Sequence, residues 1–312
     1  MNETDTASQV EATVTALTMK DGRGLPVLPP LNRRIHWVSS IDPGNREAIE
    51  QLQEQLIWFY SNNPHYYPAL TRSEQWWKGD PYYNRIVEHL RATEGSVVEA
   101  GCGCANVLRH FPEFAARYTG FDFSANVLTQ NAANFPLAKF AQIKSAREFP
   151  IETSSASILF STWVLEHCAY PRDFLDECAR AVKPDGTLII LTPDFLEGAP
   201  IPSQRCGLSA GAAQSKWQTG NKWDALLTAF DKKIKIPYFC RWLRWRQWAG
   251  QGFYINTRPA CFEDPFEPDI DAVYLTWKKE IKDYLSDRIE WREDPPKVPG
   301  RHVICLIGRR RA

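Results

Sequence analysis

Residues 97–105 have the sequence VVEAGCGCA, and this stretch decides the fold of the 312-residue chain. Its apolar, β-branched start predicts a buried strand, and the small residues that follow predict a tight turn before a helix. Gly101 and Gly103 lack a Cβ, so the backbone of this turn can lie close to a ligand, although glycine pairs also form plain turns. A dinucleotide fingerprint needs a third glycine where Asn106 stands, which disfavours a nicotinamide or flavin site.

The composition sets the size of the core and the overall charge. The chain is 44% hydrophobic, enough for one large α/β domain with an insertion or for two smaller domains. Its 37 basic and 37 acidic residues cancel, so we expect no general attraction to nucleic acid or to anionic membranes. No apolar run reaches the roughly 18 residues that span a bilayer. The sequence therefore predicts no transmembrane segment and leaves peripheral membrane contact open.

The cysteine pattern indicates a reducing compartment. Eight cysteines occur without Cys-x-x-Cys pairs, and no signal-like segment begins the chain. We therefore expect reduced thiols and a cytoplasmic location. Cys102 and Cys104 are too closely spaced for a zinc knuckle, so we interpret them as small residues in a tight turn. The oligomeric state cannot be read from the sequence.

Two segments precede the first strand of the core. Residues 1–32 have the composition of a disordered arm, and residues 33–96 form a helical and aromatic extension. A helix is predicted from Arg46, and a second helix should have Asp80 as N-cap and Pro81 at its first position. The aromatic residues between positions 60 and 83 could cover a ligand on the glycine turn: Tyr60, His65, Tyr66, Tyr67, Trp76, Trp77, Tyr82 and Tyr83.

Strands and helices alternate regularly after the glycine turn. A helix interrupted at Pro112 should lead to a second strand, 118–122, which ends at Asp122. Further strands are predicted at 139–144, 156–161 and 187–192, the last after a turn at 183–186. This alternation favours a parallel sheet covered on both faces. An acid at the end of the second strand can reach both hydroxyls of a ribose on the glycine turn, and a helix cap is the alternative role.

Residues 194–285 interrupt the alternation, and residues 286–312 complete it. A helix is predicted over 271–286, and strands over 288–293 and 302–307 should form an antiparallel hairpin that closes the sheet. The interrupting segment contains half of the tryptophans of the chain: Trp217, Trp223, Trp242, Trp245, Trp248 and Trp277. Tyr238, Trp242 and Trp245 lie on one helical face beside arginines. That face suits an anionic substrate, a membrane or a partner, unless it packs on the core.

The ordered motifs resemble the type-11 subfamily of class I S-adenosylmethionine-dependent methyltransferases. The resemblance covers residues 97–192: the glycine turn, Asp122, the Val-Leu-Glu-His segment at 164–167, and the Leu-x-Glu-x-x-Arg-x-x-Lys-Pro-x-Gly run at 175–186. It implies a Rossmann-like, doubly wound, seven-stranded sheet, mostly parallel with an antiparallel C-terminal strand. It also implies that the insertion after strand five, at 194–285, recognises the substrate.

The resemblance also implies the cofactor, S-adenosylmethionine, and residues that bind it. Asp122 would bind the ribose, Phe123 would pack on adenine, and His167 could act as general base or simply bond to backbone. The remaining predicted cofactor-binding residues are Glu99, Gly101, Cys102, Gly103, Ala105, Ser145, Ala146, Thr162 and Trp163.

Three positions depart from the family. Ser145 and Ser157 stand where the family commonly has Asp, so recognition of adenine must use the Ser145 hydroxyl or the main chain near Ala146. Trp163 replaces the first Glu of a Glu-x-x-Glu-His arrangement that is associated with metal binding in related O-methyltransferases. We therefore predict no metal.

These features predict a methyltransferase that acts on a small molecule or on a glycan- or lipid-linked precursor, with O-methylation expected. The alternative is a binding or scaffold protein that keeps the fold without turnover, as the two serines would permit. Methylation of nucleic acid is disfavoured by the zero net charge and by the absence of a base-flipping motif after the fourth strand.

Overall fold

The computed structural model describes residues 37–72, 79–198, 272–293, 298 and 301–312, with 217–218, 220, 222–230, 233–234, 238, 240–242, 244–245, 252–257, 259, 261–262 and 269–270 between them. The predicted disordered arm, 1–32, and the residues Trp76, Trp77 and Trp248 lie outside this part of the chain.

Helices and strands alternate through the described residues. The strands are β1 (Trp37–Ser39), β2 (Val97–Ala100), β3 (Tyr118–Asp122), β4 (Lys139–Gln142), β5 (Ala156–Thr162), β6 (Val182–Pro193), β7 (Tyr254–Asn256), β8 (Cys261–Phe262), β9 (Asp269–Ile270), β10 (Ile289–Glu293) and β11 (Val303–Arg310). The helices are α1 (Arg46–Asn62), α2 (Tyr66–Arg72), α3 (Pro81–Ala92), α4 (Asn106–His110), α5 (Ala125–Asn134), α6 (Pro171–Ala181), α7 (Lys222–Phe230) and α8 (Lys278–Tyr284).

A seven-stranded sheet has the order β10-β11-β6-β5-β2-β3-β4. Strands β2 to β6 are mutually parallel, and β11 runs antiparallel to both of its neighbours. The predicted Rossmann-like sheet with an antiparallel C-terminal strand is thus confirmed. Because β3 pairs with one side of β2 and β5 with the other, the chain direction across the sheet reverses at β2. In open α/β sheets ligands bind at such a switch point, beyond the carboxyl ends of the strands.

Each strand of the sheet centre contributes to two cores. Val97, Ile158 and Ile189 face one side with helix α3, while Val98, Leu159 and Ile190 face the other side with helices α1 and α6. This alternation follows from the two-residue period of a strand. Helix α3 begins as predicted, because Asp80 Oδ1 accepts a hydrogen bond of 2.9 Å from Tyr82 N and Pro81 follows the cap.

The Leu-x-Glu-x-x-Arg run clamps the connection between β4 and β5. Arg180 donates to both carboxylate oxygens of Glu177, at 2.6 and 2.7 Å, and to the carbonyl of Ile151 at 3.1 Å. Glu177 in turn accepts from the Phe149 amide at 2.7 Å. A bidentate arginine–carboxylate pair has fixed geometry, so it holds this loop against helix α6. The role of this run is therefore structural: it fixes the loop between β4 and β5.

Three predicted boundaries need correction. The helix expected over 271–286 begins at Lys278, because the amides of Val273 and Tyr274 donate to the carbonyl of Glu166 and hold this segment extended. The strand expected over 139–144 ends at Gln142. Strand β6 begins at Val182, so the predicted turn at 183–186 is an irregularity within the strand, with Asp185 at a φ of 60°.

Parts of the insertion form a small layer beside the carboxyl ends of β5 and β6. Strand β7 pairs antiparallel with β1, and the amide of Asn256 donates to the carbonyl of Val273 at 2.7 Å. Thr276 Oγ1 donates to the carbonyl of Pro193, the last residue of β6, at 2.5 Å. The layer is thereby joined to the sheet at the edge where ligands are expected.

The closing hairpin gives a first test of the fold. Gly308 on β11 lies opposite Trp291 on β10, and a Cβ there would be 2.5 Å from Ile289 Cγ2 and 3.0 Å from the Glu290 carbonyl oxygen. We expect Gly308→Ala to lower the free energy of unfolding by about 1–3 kcal/mol, since the packed side chains of Ile289 and Trp291 must move to admit the methyl group. Denaturant unfolding measures the change. Gly44→Ala, at an exposed turn, is the control, and equal stability of the two variants would contradict the packing.

Candidate functional site

Hydrogen bonds to the neighbouring strand β3 hold the glycine turn in place. The amides of Gly101 and Cys102 both donate to the carbonyl of Phe121, at 2.9 and 3.0 Å. Gly101 and Gly103 have φ values of 73° and 48°, and Ala105 has a φ of 49°. Glycine takes this left-handed region without steric cost, whereas alanine there is strained. The turn thus brings the start of helix α4 directly over the end of β2.

The space of the missing glycine side chains is filled by the protein itself. A Cβ on Gly101 would lie 2.3 Å from Val164 Cγ2, and one on Gly103 would lie 3.1 Å from Leu70 Cδ1. Helix α2 is further fixed over the turn because Asn106 Nδ2 donates to the carbonyl of Leu70 at 3.2 Å. The glycines therefore allow the loop after β5 and helix α2 to pack closely on the turn. Sequence reasoning placed aromatic residues over this turn and did not identify these two aliphatic contacts.

Asp122 connects the end of β3 to the glycine turn. Its Oδ2 accepts from the Gly103 amide at 2.9 Å, and its Oδ1 accepts from the Ser124 amide at 3.1 Å. Burial raises the pKa of this carboxyl above its usual value, and the backbone donors act in the opposite direction. A carboxylate has about four acceptor positions, so Asp122 keeps acceptor capacity beyond its backbone donors. Its predicted contact with a ribose stays a prediction.

Glu99 makes a different contact from the one expected. Its carboxyl group accepts a hydrogen bond from the hydroxyl of Tyr118 on β3, and the side chain is buried. Burial, with a smaller contribution from Asp122, raises the pKa of Glu99 to about 8. The neutral form of Glu99 is therefore favoured at pH 7, and its predicted contact with the cofactor stays a prediction. Burial likewise raises the pKa values of the Cys102 and Cys104 thiols, which disfavours reactive thiolates in the turn.

The end of β5 holds a residue in an unusual conformation. Trp163 has a φ of 58°, rare for a bulky side chain, and follows directly after Thr162, the last residue of the strand. Its amide donates to the carbonyl of Leu191 at 2.8 Å, and its indole Nε1 donates to the hydroxyl of Tyr83 at 2.6 Å. Strained residues of this kind concentrate at functional sites.

The three residues predicted to contact adenine follow β3 and β4. The Phe123 ring is partly buried, and the carbonyl of Phe123 accepts from Gln142 Nε2 at 2.9 Å. Ser145 Oγ accepts from the Arg147 amide at 3.1 Å, while Ala146 is buried in the core. The sheet order brings the ends of β4, β3, β2 and β5 side by side, so all the predicted cofactor-binding residues except Glu99 lie at or just beyond one edge. Their individual roles stay predictions.

His167 lies beside Glu166 in the 3-10 turn after β5. Its Nε2 is 4.0 Å from Glu166 Oε1, and its ring centroid is 6.0 Å from that of Tyr60 on helix α1. Glu166 Oε2 accepts from Thr192 Oγ1, at the end of β6, at 2.7 Å. The sequence analysis singled out His167 and did not connect it to Tyr60 or Thr192, which are distant along the chain. Within the described residues, no group of three or more His, Cys, Asp or Glu is placed to hold a metal.

A glycine turn at the switch point, with an acid at the end of the neighbouring strand, is the arrangement that the resemblance to class I methyltransferases implied. Residues 98–190 match the family model described as a methyltransferase domain, type 11. This part of the chain therefore belongs to the type-11 family of class I S-adenosylmethionine-dependent methyltransferases.

Relatives match mainly this same region. A protein named as a probable S-adenosylmethionine-dependent methyltransferase of Mycolicibacterium smegmatis is 25% identical over 133 residues, 43% of this chain and 51% of the relative. Trans-aconitate 2-methyltransferase of Paracidovorax citrulli is 28% identical over 155 residues, 48% of this chain and 57% of the relative. The tRNA U34 carboxymethyltransferase of Idiomarina loihiensis is 29% identical over 124 residues, 37% of this chain and 38% of the relative. The chain spans about half the length of the first two.

The Glu99–Tyr118 pair predicts a measurable pH dependence of stability. The pKa of Glu99 is about 8 in the folded state against an ordinary value of 4.5, so the folded state binds one more proton between these values. The free energy of unfolding should therefore fall as pH rises through this window, by at most about 1.4 kcal/mol per pH unit, and level off above it.

Glu99→Gln keeps the acceptor for Tyr118 and cannot ionise. Chemical unfolding of both proteins across this pH range measures the effect. The free energy of unfolding of the variant should rise relative to that of the wild type as pH rises. A constant offset between the two is expected from the buried amide, so the slope is the diagnostic quantity. Parallel stability curves would contradict the raised pKa.

Proposed function

We propose that this protein transfers a methyl group from S-adenosylmethionine bound at the glycine turn to an acceptor held beside His167. The observation that carries the proposal is the Asp122 carboxylate bonded to the Gly103 amide at the switch point of the sheet. The family match of residues 98–190 supports the same reaction. Asp122 would bind the ribose hydroxyls, and the half-buried Phe123 would pack on adenine.

S-adenosylmethionine supplies an electrophilic methyl group on a sulfonium, and transfer is an in-line displacement. The contribution of the protein is to position the two reactants and to exclude water. Helix α2 contributes to exclusion, since Leu70 covers Gly103 and Tyr67 OH accepts from Arg109 at 2.8 Å. The strained Trp163 would fix the wall of the site at the end of β5.

His167 is the proposed general base for a hydroxyl acceptor. A neutral imidazole can take up the hydroxyl proton of the substrate as the hydroxyl oxygen attacks the methyl group. Glu166 would stabilise the resulting imidazolium across the 4.0 Å between Oε1 and Nε2. Because a hydroxyl is a weak nucleophile at neutral pH and this base is present, we favour O-methylation of a small molecule or of a glycan- or lipid-linked precursor.

The second candidate function is a scaffold protein without turnover. It is suggested by Ser145 and Ser157, and the position of Ser157 weakens it. Ser157 lies at the amino end of β5, where its amide donates to Ser96 Oγ at 3.0 Å. That end of the strand is opposite the site, so the lost acid has no direct bearing on the cofactor. Ser145 alone leaves the adenine edge without a carboxylate, and turnover on any acceptor would reject this candidate.

Asp122→Asn tests the cofactor site. The change keeps the shape of the side chain but replaces one acceptor oxygen by a donor that faces the Gly103 amide or the ribose. We expect the dissociation constant for S-adenosylmethionine to rise about 10- to 100-fold, as for loss of a charged hydrogen-bond acceptor. Isothermal titration calorimetry measures it, and Asp283→Asn, at an exposed salt bridge on helix α8, is the control. Unchanged affinity in the Asp122 variant would reject the ribose role.

His167→Gln tests the proton transfer separately from binding. The rate of labelled methyl transfer into a cell extract should fall about 10²- to 10⁴-fold, because loss of a general base has an effect of this size. Binding of S-adenosylmethionine should stay within about twofold, since His167 lies on the acceptor side. The Tyr60→Phe variant keeps the ring beside His167 and serves as the comparison. A His167 variant with full transfer activity would show that the base lies elsewhere.

A further inference from the structure

Exposed apolar side chains concentrate in one stretch of the chain, residues 217–245. Of the eleven large hydrophobic residues that are exposed in the described part of the chain, eight belong to this stretch. They are Trp217, Trp223, Leu226, Phe230, Ile234, Tyr238, Trp242 and Trp245. Single exposed apolar residues are ordinary, but eight of them within one stretch make this stretch a candidate for an interaction surface. We call these eight residues the aromatic surface.

Two helical segments of the aromatic surface expose the side that would normally be buried. On α7, Trp223, Leu226 and Phe230 lie within about 60° of one another around the helix axis, and Trp223 is 77% exposed. Ala225 points to the opposite side and is only 2% exposed. Because this helix buries its alanine and exposes its tryptophan, its apolar face is not covered by the described residues and is available for an interaction.

The second segment repeats this arrangement. Residues 238, 240–242 and 244–245 are helical, and Tyr238, Trp242 and Trp245 share one side at spacings of four and three residues. Tyr238 is 72% exposed and Trp245 is 60% exposed, whereas Cys240, on the other side, is buried. The same inversion in two separate segments argues against an accidental exposure.

The charge around the aromatic surface is positive in a chain that is neutral overall. Between residues 217 and 246 the sequence has two acids, Asp224 and Asp231, and seven bases: Lys222, Lys232, Lys233, Lys235, Arg241, Arg244 and Arg246. This local excess of five positive charges stands in a chain with a net charge of zero. Lys222, Lys233 and Arg241 are exposed, and Lys222 and Arg241 are sequence neighbours of Trp223 and Trp242. An occupant that complements this surface is therefore both apolar and anionic.

The aromatic surface is connected to the proposed acceptor side of the site. The ring centroids of Trp242 and Tyr254 are 6.4 Å apart, and the carbonyl of Tyr254 accepts from the Leu275 amide at 3.1 Å. The neighbouring Tyr274 amide donates to the carbonyl of Glu166, next to His167, at 2.9 Å. Arg244 also forms a 3.1 Å salt bridge with Glu197, just after β6. The end of the aromatic surface at Trp242 is thus close to the edge where methyl transfer is proposed.

We propose that the aromatic surface docks on the surface of an anionic lipid membrane and so brings the acceptor site to the lipid headgroups. Tryptophan and tyrosine rings would enter the interface, Leu226, Phe230 and Ile234 would reach the acyl boundary, and the lysines and arginines would contact anionic headgroups. In the part of the chain that is described, no helix combines the length and apolar character needed to cross a bilayer. The docking that we propose is peripheral, through side chains that enter the interface. This docking proposal depends on the proposed function only where it names a lipid-borne acceptor.

A lipid surface fits these side chains better than a single-stranded nucleic acid. Both occupants are anionic, and both accept aromatic rings, by insertion in one case and by base stacking in the other. Leu226 and Ile234 are exposed alongside the rings, and aliphatic side chains gain nothing from stacking on bases. They do gain from leaving water for an acyl boundary.

The test uses the full chain and sedimentation with vesicles made of equal parts of phosphatidylcholine and phosphatidylglycerol, compared with phosphatidylcholine alone. We expect binding to the anionic vesicles and weaker binding to the neutral ones. The Trp223→Ala, Phe230→Ala double variant should lower the partition coefficient about tenfold, since two exposed rings no longer enter the interface. Trp58→Ala removes a tryptophan of helix α1 that is 59% exposed, and it should bind as the wild type does.

A second variant keeps the proposal testable if the first variant does not fold. Lys233→Ala with Arg241→Ala should reduce binding to anionic vesicles and leave binding to neutral vesicles unchanged. Calorimetry with S-adenosylmethionine on every variant keeps the two proposals apart, because docking can fail with cofactor binding intact and cofactor binding can fail with docking intact. Absence of vesicle binding, equal binding by the ring variant, or binding of a single-stranded RNA oligonucleotide in place of vesicles would each overturn the proposal.

Discussion

The hydrogen bond from the Gly103 amide to the Asp122 carboxylate joins the ends of two parallel strands where the sheet changes direction. Because this bond is buried, it is strong and costly to break. It fixes the glycine turn relative to β3, and the turn in turn admits Val164 from the loop after β5 and Leu70 from helix α2. The proposed cofactor site is therefore held by contacts from three separate parts of the chain.

Glu166 has a comparable position on the acceptor side. Its carboxylate accepts from Thr192 on β6, its carbonyl holds the extended segment at 273–274, and its neighbour is His167. One residue thus links the core sheet, the insertion and the proposed base. The insertion is thus joined to the residue next to His167 by backbone hydrogen bonds, through Tyr254 and the segment at 273–275.

The net charge of zero conceals a local excess of positive charge in the insertion. Equal numbers of acids and bases argue against general binding to nucleic acid or membranes, yet the bases collect in the insertion beside exposed rings. Electrostatic attraction over distances beyond about 8–10 Å is screened at physiological salt, so the local patch decides which surface is contacted. Burial raises the pKa of Glu99 to about 8, so this buried carboxyl contributes little to that attraction.

The sequence by itself determined the alternation of strands and helices, the cap at Asp80, the helix break at Pro112 and the closing hairpin, because each follows from local periodicity or from the geometry of a few neighbouring residues. It also placed Asp122 and Trp163 at strand ends, and hence at one edge of a parallel sheet. Tertiary structure decided the rest. The Glu99–Tyr118 pair, the filling of the glycine spaces by Val164 and Leu70, and the extended segment before helix α8 all join residues distant in sequence. The outward-facing rings of the insertion are of the same kind, since helical spacing defines a face and only packing determines which face meets water.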